Sequence, residues 1–288
     1  IKVNGYDLPF DTDHELIAGD CFAQYFDLNA PVSKKAIVEL AERAECPPDI
    51  HLLSSLTDDQ IYLEKVVEKR LSLLDLASDL HAVFLTIEDL FRFLPPLLPR
   101  RYSISSSALA HPSEADLTIS RILEPAYSGH GVYRGTCSSY LADSKNGTVL
   151  RARVVPGPEG FKLPTSEAPL ILIGAGSGMA PLRAFIQELG FKHREGSRVP
   201  SATLFYGCTR EEQDFLYSDE LQEFVKEGIL DVRPAFSREI AAVNGRDVKY
   251  IQDRIIAEKE DLLTKIKNGA HIYVCGAVNT VVPGVRDA

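Results

Sequence analysis

The 288-residue sequence predicts an α/β plus β fold in three parts: a helical segment (1–98), an antiparallel β segment (99–166) and a parallel, doubly wound α/β domain (167–288). Three observations predict this order. Apolar residues in the first part recur at spacings of three and four, which is typical of amphipathic helices. After a cluster of prolines the pattern changes to alternation, which indicates strands. In the last part short apolar strands alternate with helical patterns, which favours a parallel sheet covered on both faces.

The composition is that of a folded chain and excludes several classes of protein. Apolar residues make up 45% and charged residues 25% of the sequence, which is ordinary for a globular protein. The formal charge is −10, from 41 acidic and 31 basic side chains, and there is no dense basic block, which argues against a nucleic-acid partner. The most apolar stretch, 168–173, is too short for a membrane segment. Residues 1–10 do not resemble a signal peptide.

The five cysteines are widely spaced and odd in number. No CxxC or CxxH spacing occurs, so neither a metal site nor a redox dithiol is predicted. Reduced thiols of this kind are typical of a cytoplasmic protein, which is the location that we expect. The sequence begins with isoleucine rather than methionine, so we also expect it to be a piece of a longer polypeptide.

Three helices are predicted in the first part. The first covers roughly 31–45, with a proline early in the helix and Pro47-Pro48 ending it. The second covers 58–78, where acidic and basic side chains face each other on the exposed side. The third covers 86–93, with Thr86 as its N-cap and two acidic residues in its first turn. Further prolines then break the helical pattern.

Strands follow in both of the remaining parts. Segments 102–106, 116–123 and 148–155 are rich in strand-forming residues and are separated by Gly, Pro and Asn. They predict antiparallel strands of a small sheet or barrel. Beyond residue 167 the alternation of strand and helix is regular. It predicts strands over 170–173, 202–206, 229–235 and 272–274, and helices that begin near Ala180, Tyr217 and Val248.

A glycine-rich turn stands between the first predicted parallel strand and its helix. Gly174, Gly176 and Gly178 allow the backbone to turn sharply and to approach a ligand closely. Free N–H groups at the start of the helix form an anion site, and Arg183 would add a positive charge near the first turn. We therefore expect a diphosphate here. Because GxGxG differs from the usual GxGxxG spacing, a tight turn that binds nothing is the alternative.

Ser237 and Arg238 follow the third parallel strand. A hydroxyl beside a guanidinium suits a phosphate monoester, and an arginine in place of an acidic residue favours NADP over NAD. Lys249 and Tyr250 would add a charge and a stacking ring, although each of these residues taken singly is more often a solvated surface residue. Cys275 ends the last predicted strand, where a cysteine on its own usually contributes only packing.

Five motifs resemble those of one family of flavoenzymes. Residues 100–103 (Arg-Arg-Tyr-Ser) resemble the RxYS flavin signature of ferredoxin-reductase-type enzymes, and residues 135–138 (Gly-Thr-Cys-Ser) resemble their second flavin segment. Residues 174–183, 206–208 and 273–276 resemble their nicotinamide loop and the two motifs that follow it. In this order they resemble the diflavin reductases, above all the NADPH–cytochrome P-450 reductase type found in self-sufficient P-450 monooxygenase fusions. The resemblance implies a ferredoxin-reductase-like fold: a flavin-binding barrel, incomplete here, with a helical insert, followed by a nucleotide-binding domain.

The resemblance also implies roles for individual residues. Arg100 would pair with the FAD diphosphate, Tyr102 would lie against the isoalloxazine ring and Ser103 would lie near flavin N5. Cys275 would lie beside the nicotinamide, so Ser103 and Cys275 are the two predicted catalytic residues, with a positioning role. The other predicted cofactor-binding residues are Gly135, Thr136, Cys137 and Ser138 for FAD, Gly174, Gly176, Ser177, Gly178 and Arg183 for the NADPH diphosphate, and Ser237, Arg238, Lys249, Tyr250 and Gln252 for the adenosine end.

The function implied is that of an FAD/NADPH module, which moves a hydride from NADPH to FAD and electrons onward to FMN and haem. The implied partners are an FMN-binding flavodoxin-like domain and a cytochrome P-450 haem domain in the same polypeptide. Two alternatives stay open. One is the same module in a sulfite reductase flavoprotein or a nitric oxide synthase-type reductase, and the other is a truncated, non-enzymatic remnant that binds NADP but no flavin.

Overall fold

The computed structural model describes residues 17–277 and 281–288, together with the backbone of two short antiparallel strands, β1 (Lys2–Val3) and β2 (Tyr6–Asp7). The chain divides into two compact units. Segment 101–120, which carries part of the predicted flavin signature, belongs to the same unit as the α/β part. The first unit consists of residues 1–100 and 121–149, and the second consists of residues 101–120 and 150–288.

The first unit is mainly helical and is built around one apolar core. Phe26, Ile37, Leu40, Leu53 and Leu76 are each at most 1% exposed and pack in one cluster. A short antiparallel hairpin and one further helix complete the unit. Its elements are α1 (Ala18–Tyr25), α2 (Lys34–Glu42), α3 (Pro47–Ser55), α4 (Asp59–Tyr62), a π-helical turn (Leu63–Val67), α5 (Leu73–Asp79), α6 (Ile87–Phe93), β3 (Leu123–Pro125), β4 (Val132–Arg134) and α7 (Thr136–Asp143).

The first predicted helix is confirmed as α2. Its N-cap is Ser33, whose hydroxyl oxygen accepts a hydrogen bond from the N–H of Ala36, as is usual at a helix start. Pro47 and Pro48 end the predicted pattern, but they also begin α3, which the pattern does not predict. Proline is tolerated in the first turn because its missing N–H would have no partner within the helix.

The second predicted helix, 58–78, is wrong as one continuous element. It divides into α4, a π-helical turn and α5, because Arg70 adopts φ +53. This left-handed conformation cannot continue a right-handed helix. The chain begins a new helix two residues later, with Ser72 as the N-cap of α5. The third prediction is confirmed, since Thr86 caps α6 in a capping box with Asp89.

Asp49 of α3 is buried, and its carboxylate holds the loop that follows α5. It accepts hydrogen bonds from the backbone N–H groups of His81 (2.9 Å), Ala82 (2.8 Å) and Val83 (3.2 Å). A ring nitrogen of His81 also lies 3.2 Å from the carboxylate. The bond from the His81 N–H, with the others, lowers the pKa of Asp49 against the opposing effect of burial.

We expect Asp49→Asn to lower the thermal unfolding midpoint by several degrees at neutral pH, and to lower it progressively less in acid. A carboxyl whose folded pKa lies below its unfolded value of about 3.9 stabilises the protein above that pH. This contribution is lost as the pH falls through the folded pKa. Thermal unfolding from neutral pH to about pH 3 measures the difference, with Glu42→Gln, an exposed carboxylate of α2, as the control. A difference that does not change with pH would contradict this role.

The second unit is built on a four-stranded parallel sheet, which confirms the predicted parallel α/β part. Residues 170–173 are at most 4% exposed, and their side chains alternate between two apolar clusters. Such continuous burial is typical of a strand covered on both faces. The elements are β5 (Leu170–Ala175), a 3₁₀ turn (Gly176–Gly178), α8 (Met179–Arg194), β6 (Ala202–Cys208), α9 (Glu211–Asp214), α10 (Ser218–Lys226), β7 (Leu230–Phe236), β8 (Ala241–Val243), β9 (Arg246–Val248), α11 (Ile251–Ala257), α12 (Lys259–Lys267), β10 (His271–Cys275) and α13 (Val281–Asp287).

The strand order in this sheet is β10-β5-β6-β7. On one face α8 and α10 pack through Leu182 and Phe224, and on the other α11 and α12 pack through Ile251 and Leu262. Because the strands are parallel, their carboxyl ends lie along one edge, where such sheets bind ligands. The hairpin of β8 and β9 is an addition that the sequence pattern does not predict.

The predicted antiparallel strands are only partly present. Segments 102–106 and 116–123 meet at one antiparallel bridge, between Ile104 and Leu117. Residues 148–155, all of which the structure describes, form no strand, which corrects that prediction. A strand needs a paired neighbour and a covered face, whereas the side chains of this segment are mostly exposed. No helix in the described ranges is long and apolar enough to cross a membrane.

Candidate functional site

The glycine loop lies at the carboxyl edge of the parallel sheet, between β5 and α8. Gly176 has φ +52, in the left-handed region where a residue with a Cβ is strained by about 1–2 kcal/mol. The carbonyl of Gly176 accepts a hydrogen bond of 3.1 Å from the hydroxyl of Tyr206 on β6. Tyr206 is fully buried, and burial raises the pKa of its hydroxyl, so the group stays a donor at neutral pH. No local spacing predicts this contact.

Gly178 brings the loop against the end of β10. A Cβ at Gly178 would lie 2.7 Å from the carbonyl carbon of Cys275 and 2.9 Å from the amide nitrogen of Gly276, well inside the usual carbon contact distance of about 3.5–4.0 Å. Gly174 pairs with Cys275 in the ladder of β5 and β10, and Ser177 is exposed beside them. The structure therefore brings these predicted residues together. The close approach needs a glycine, and the free N–H groups at the start of α8 suit a diphosphate.

The thiol of Cys275 is half-buried at the end of β10. Burial raises the pKa of Cys275 to about 11, so the group is a neutral thiol at physiological pH. A neutral thiol can orient a neighbouring ring by contact without attacking it, as the predicted role requires. Cys208, at the end of β6, is also protonated, because burial raises its pKa to about 12.

Arg183 lies on α8, but its charge is not free for the glycine loop. Its guanidinium donates to Glu220 Oε2 (2.6 Å), to Asp116 Oδ2 (2.9 Å) and to the carbonyl of Ser105 (3.1 Å). Burial opposes the charged form, but the bonds to Glu220 and Asp116 outweigh it and raise the pKa of Arg183. The prediction that Arg183 adds a charge to the diphosphate site is therefore corrected, because two carboxylates already neutralise it.

Ser237 and Arg238 follow β7 and continue its pairing with β6. The N–H of Ser237 donates to the carbonyl of Cys208, and the N–H of Arg238 donates to that of Thr209, both at 2.9 Å. Arg238 is exposed, and its guanidinium makes no ion pair with any residue that the structure describes. An arginine in this state can bind an anion without first breaking another contact.

Lys249 and Tyr250 precede α11 near the end of β6. The helix begins against Gly207, where a Cβ would lie 2.7 Å from Ile251 Cγ1. The ammonium of Lys249 lies 5.2 Å from the ring centroid of Tyr250, and Tyr250 is 47% exposed. Gln252, in the first turn of α11, is partly buried. An exposed ring beside a cation is suited to stacking against a base.

Asp27 joins two of the predicted flavin residues in the first unit. Its carboxylate accepts hydrogen bonds from the guanidinium of Arg100 (2.5 Å) and from the hydroxyl of Thr136 (3.4 Å). Asn29 donates to the Thr136 hydroxyl at 3.1 Å. Because Thr136 is the first residue of α7, this chain of bonds holds Arg100 close to the start of that helix. Asp27 and Asn29 belong to no recognisable motif, so sequence reasoning missed them.

The start of α7 forms a cradle that only glycine allows. A Cβ at Gly135 would lie 2.6 Å from Ser138 Oγ and 2.9 Å from Ile122 Cβ. The hydroxyl of Ser138 accepts a hydrogen bond from the N–H of Ile122 at 3.2 Å, so it shapes this turn. The N–H groups of Thr136, Cys137 and Ser138 lie in the first turn and have no acceptor within the helix. These donors fit a diphosphate.

Tyr102 and Ser103 belong to the second unit. Tyr102 is half-buried and Ser103 is exposed, whereas Ser105, Ser106 and Ser107 are each at most 5% exposed. The segment is therefore anchored immediately after the predicted pair. The hydroxyl of Ser103 is left accessible to a ligand.

Comparison with protein families identifies two domains. Residues 16–140 match the FAD binding domain, and residues 172–286 match the oxidoreductase NAD-binding domain. The two matched regions contain all five motifs, and the two domains occur in the order that the sequence motifs predict.

Full-length relatives show the same relationship over nearly the whole chain. A bifunctional cytochrome P450/NADPH–P450 reductase of Bacillus subtilis is 37% identical over 292 residues, covering 99% of this chain and 27% of the relative. A self-sufficient cytochrome P450 monooxygenase of Oidiodendron maius is 39% identical, covering 94% of this chain and 25% of the relative. A bifunctional cytochrome P450/NADPH–P450 reductase of Fusarium oxysporum is 37% identical, and the match covers 92% of this chain and 25% of the relative. The chain thus spans about a quarter of the length of these relatives. Its two domains are the FAD-binding and NAD-binding domains of the ferredoxin-reductase family, and the chain is a homologue of the reductase part of self-sufficient P450/NADPH–P450 reductase fusions.

Proposed function

We propose that this chain is the FAD/NADPH module of a diflavin reductase, which transfers hydride from NADPH to FAD and passes electrons onward to FMN and a haem monooxygenase. The observation that carries the proposal is the junction of Gly178 with Cys275, because it places an anion-binding helix start against the strand end predicted to contact nicotinamide. The bridge between Ile104 and Leu117 supports the further proposal that residues 99–166 contribute to an FAD-binding barrel.

The protein's part in this reaction is positioning. Bound FAD supplies the hydride acceptor, and the N–H groups that begin α7 and α8 would hold the two diphosphates. Cys275 presents a neutral thiol, so it can orient the nicotinamide without reacting with it. Ser103 has an accessible hydroxyl that can donate a hydrogen bond to flavin N5. Such contacts hold donor and acceptor at near-attack distance, which is the main requirement of direct hydride transfer.

The partners proposed are an FMN-binding flavodoxin-like domain and a cytochrome P-450 haem domain in the same polypeptide. The names of the relatives support this, since they are P450/reductase fusions of which the chain covers about a quarter. They favour a P-450 acceptor over a sulfite reductase or a nitric oxide synthase-type acceptor. The five cysteines are all free, which supports the proposed cytoplasmic location.

The direct test is reduction of the protein by NADPH. The full-length polypeptide is purified, its FAD and FMN are released and quantified separately by chromatography, and NADPH is added in a stopped-flow instrument. We expect one FAD per chain and rapid bleaching of the flavin band with NADPH. Bound NADP without any flavin would instead support the non-enzymatic alternative. A flavin that dithionite reduces but NADPH does not would contradict the proposed hydride donor.

Cys275→Ala is expected to slow flavin reduction about tenfold or more, with flavin content unchanged. The thiol acts in the transition state, so turnover should fall more than the Michaelis constant for NADPH rises. NADPH deuterated at the transferred position shows whether the slowed step is hydride transfer. The matched control is Cys208→Ala, a buried thiol at the end of β6, two strands away from β10 in the sheet, which should lower stability and leave the rate unchanged. An unchanged rate of flavin reduction in Cys275→Ala would show that Cys275 contributes only packing.

A further inference from the structure

Arg183 and Gln187 lie one turn apart on α8 and both bind the segment that follows Ser103. Arg183 donates to the carbonyl oxygen of Ser105 at 3.1 Å. The side-chain carbonyl of Gln187 accepts from the N–H of Ser107 at 2.9 Å. We call these two side chains the clamp. Together they bind one backbone carbonyl and one backbone N–H of the same segment, as a neighbouring strand would.

Glu220 on α10 holds both side chains of the clamp. Its two carboxylate oxygens accept one from Arg183 and one from Gln187. The side chain of Arg183 is 12% exposed and Gln187 is 5% exposed, so water competes little for these bonds. Arg183 also stacks over the ring of Tyr217, 4.2 Å from its centroid. Charge-assisted bonds in such a site are strong and directional.

Asp116 fixes the register of the clamped segment. Its carboxylate accepts from Arg183 at 2.9 Å. Its N–H donates to Ser106 Oγ and its carbonyl accepts from the N–H of Ser105, both at 2.8 Å. The segment is thus bound both by residue 116 and by α8, so it cannot slide against the helix without breaking several hydrogen bonds.

The clamp connects the two places where the proposed reaction occurs. Ser103 precedes Ser105 by two residues, at most about 7 Å of chain, and Arg183 follows Gly178 by five residues on the helix that the glycine loop begins. We propose that Arg183 and Gln187 are positioning residues for hydride transfer, which fix the flavin-contacting Ser103 relative to the nicotinamide loop. This inference rests on the proposed function. It also gives Arg183 a role other than binding the diphosphate.

The test uses the full-length, flavin-loaded polypeptide and three variants. Arg183→Met removes the bonds to Ser105, Asp116 and Glu220 but keeps an unbranched side chain. Gln187→Met removes the bond to Ser107. The matched control is Arg194→Met, since Arg194 lies on the same helix, pairs with Glu227 at 2.7 Å and stacks over Phe224, with no bond to the clamped segment.

Flavin content, the dissociation constant of NADPH and the rate of flavin reduction are measured for each protein. We expect Arg183→Met and Gln187→Met to slow reduction by about ten- to a hundredfold, because displacements near 1 Å have effects of this size. Flavin content should stay the same and NADPH affinity should stay within about threefold. Deuterated NADPH should show that hydride transfer limits the slowed rate. Arg194→Met should be reduced at the wild-type rate.

Three results would overturn the inference. Rates for both clamp variants equal to that of Arg194→Met would show that the clamp only stabilises the fold. If Arg183→Met binds NADPH more weakly but is reduced at an unchanged rate, Arg183 binds the NADPH diphosphate and is not a positioning residue. If Arg183→Met does not fold, a normal rate in Gln187→Met would decide against the clamp. Failure of the wild-type polypeptide to be reduced by NADPH is a different result, which overturns the proposed function itself.

Discussion

Gly178→Ala is expected to slow NADPH-driven flavin reduction about a hundredfold while the flavin stays bound. The added methyl group would meet the backbone of Cys275 and Gly276, where there is no flexible side chain to move aside. The loop must then shift by about 1 Å, and a displacement of that size at a reacting centre lowers the rate about a hundredfold. Gly178 has φ −60, a conformation that alanine adopts freely. The effect is therefore steric.

Gly176→Ala is the matched control for this experiment. Nothing lies within 4 Å of a Cβ at Gly176, but its φ of +52 strains any residue with a side chain. The strain of about 1–2 kcal/mol should weaken NADPH binding about tenfold and leave the reduction rate at saturation nearly unchanged. Stopped-flow traces over a range of NADPH concentrations separate the two quantities. The same rate loss in both variants would mean that the approach to β10 is not what Gly178 provides.

Arg238→Ala is expected to weaken NADPH binding far more than NADH binding. If the exposed guanidinium pairs with the 2′-phosphate, its loss removes a charge-assisted hydrogen bond worth about 1.5–3 kcal/mol, or about 10- to 150-fold in affinity. NADH has no 2′-phosphate, so its affinity should hardly change. Binding titrations with both nucleotides measure the ratio.

The control for Arg238 is Arg246→Ala, another exposed arginine of the same unit. It should change the affinities for NADPH and NADH only slightly, because it removes one positive charge without removing a phosphate contact. Equal effects of Arg238→Ala on the two nucleotides would place Arg238 outside the phosphate pocket. The preference for NADP would then need another explanation.

The parallel α/β part is predictable because local pattern and tertiary structure agree there. Residues 170–173 are apolar without interruption since both faces of β5 are covered, and the glycines that follow mark the turn into α8. The prediction of one helix over 58–78 failed at Arg70, whose left-handed φ is not signalled by its residue type. Segment 148–155 has strand-forming residues, but propensity does not supply the neighbour that a strand must pair with.

The parts of the site that sequence reasoning missed depend on long-range contacts. Asp27 meets Arg100 and Thr136 across more than seventy positions of the chain, and no periodicity signals such a meeting. Arg183 is the opposite case, a contact that the sequence predicts and the structure does not support. Its place after the glycine loop suggests a phosphate ligand, but Glu220 and Asp116, distant in sequence, bind its guanidinium first. Motifs identify backbone geometry well, whereas the direction of a long side chain depends on the partners that folding supplies.

The hydrogen bond from Tyr206 to Gly176 has a consequence for how a nucleotide enters the site. Because a buried hydroxyl on the sheet already holds the loop carbonyl, the conformational entropy of ordering the loop is lost during folding and not during binding. Association should then be a single bimolecular step whose observed rate rises linearly with nucleotide concentration, without the plateau that a slow loop closure produces. In Tyr206→Phe, which keeps the ring but loses this bond, such a plateau should emerge.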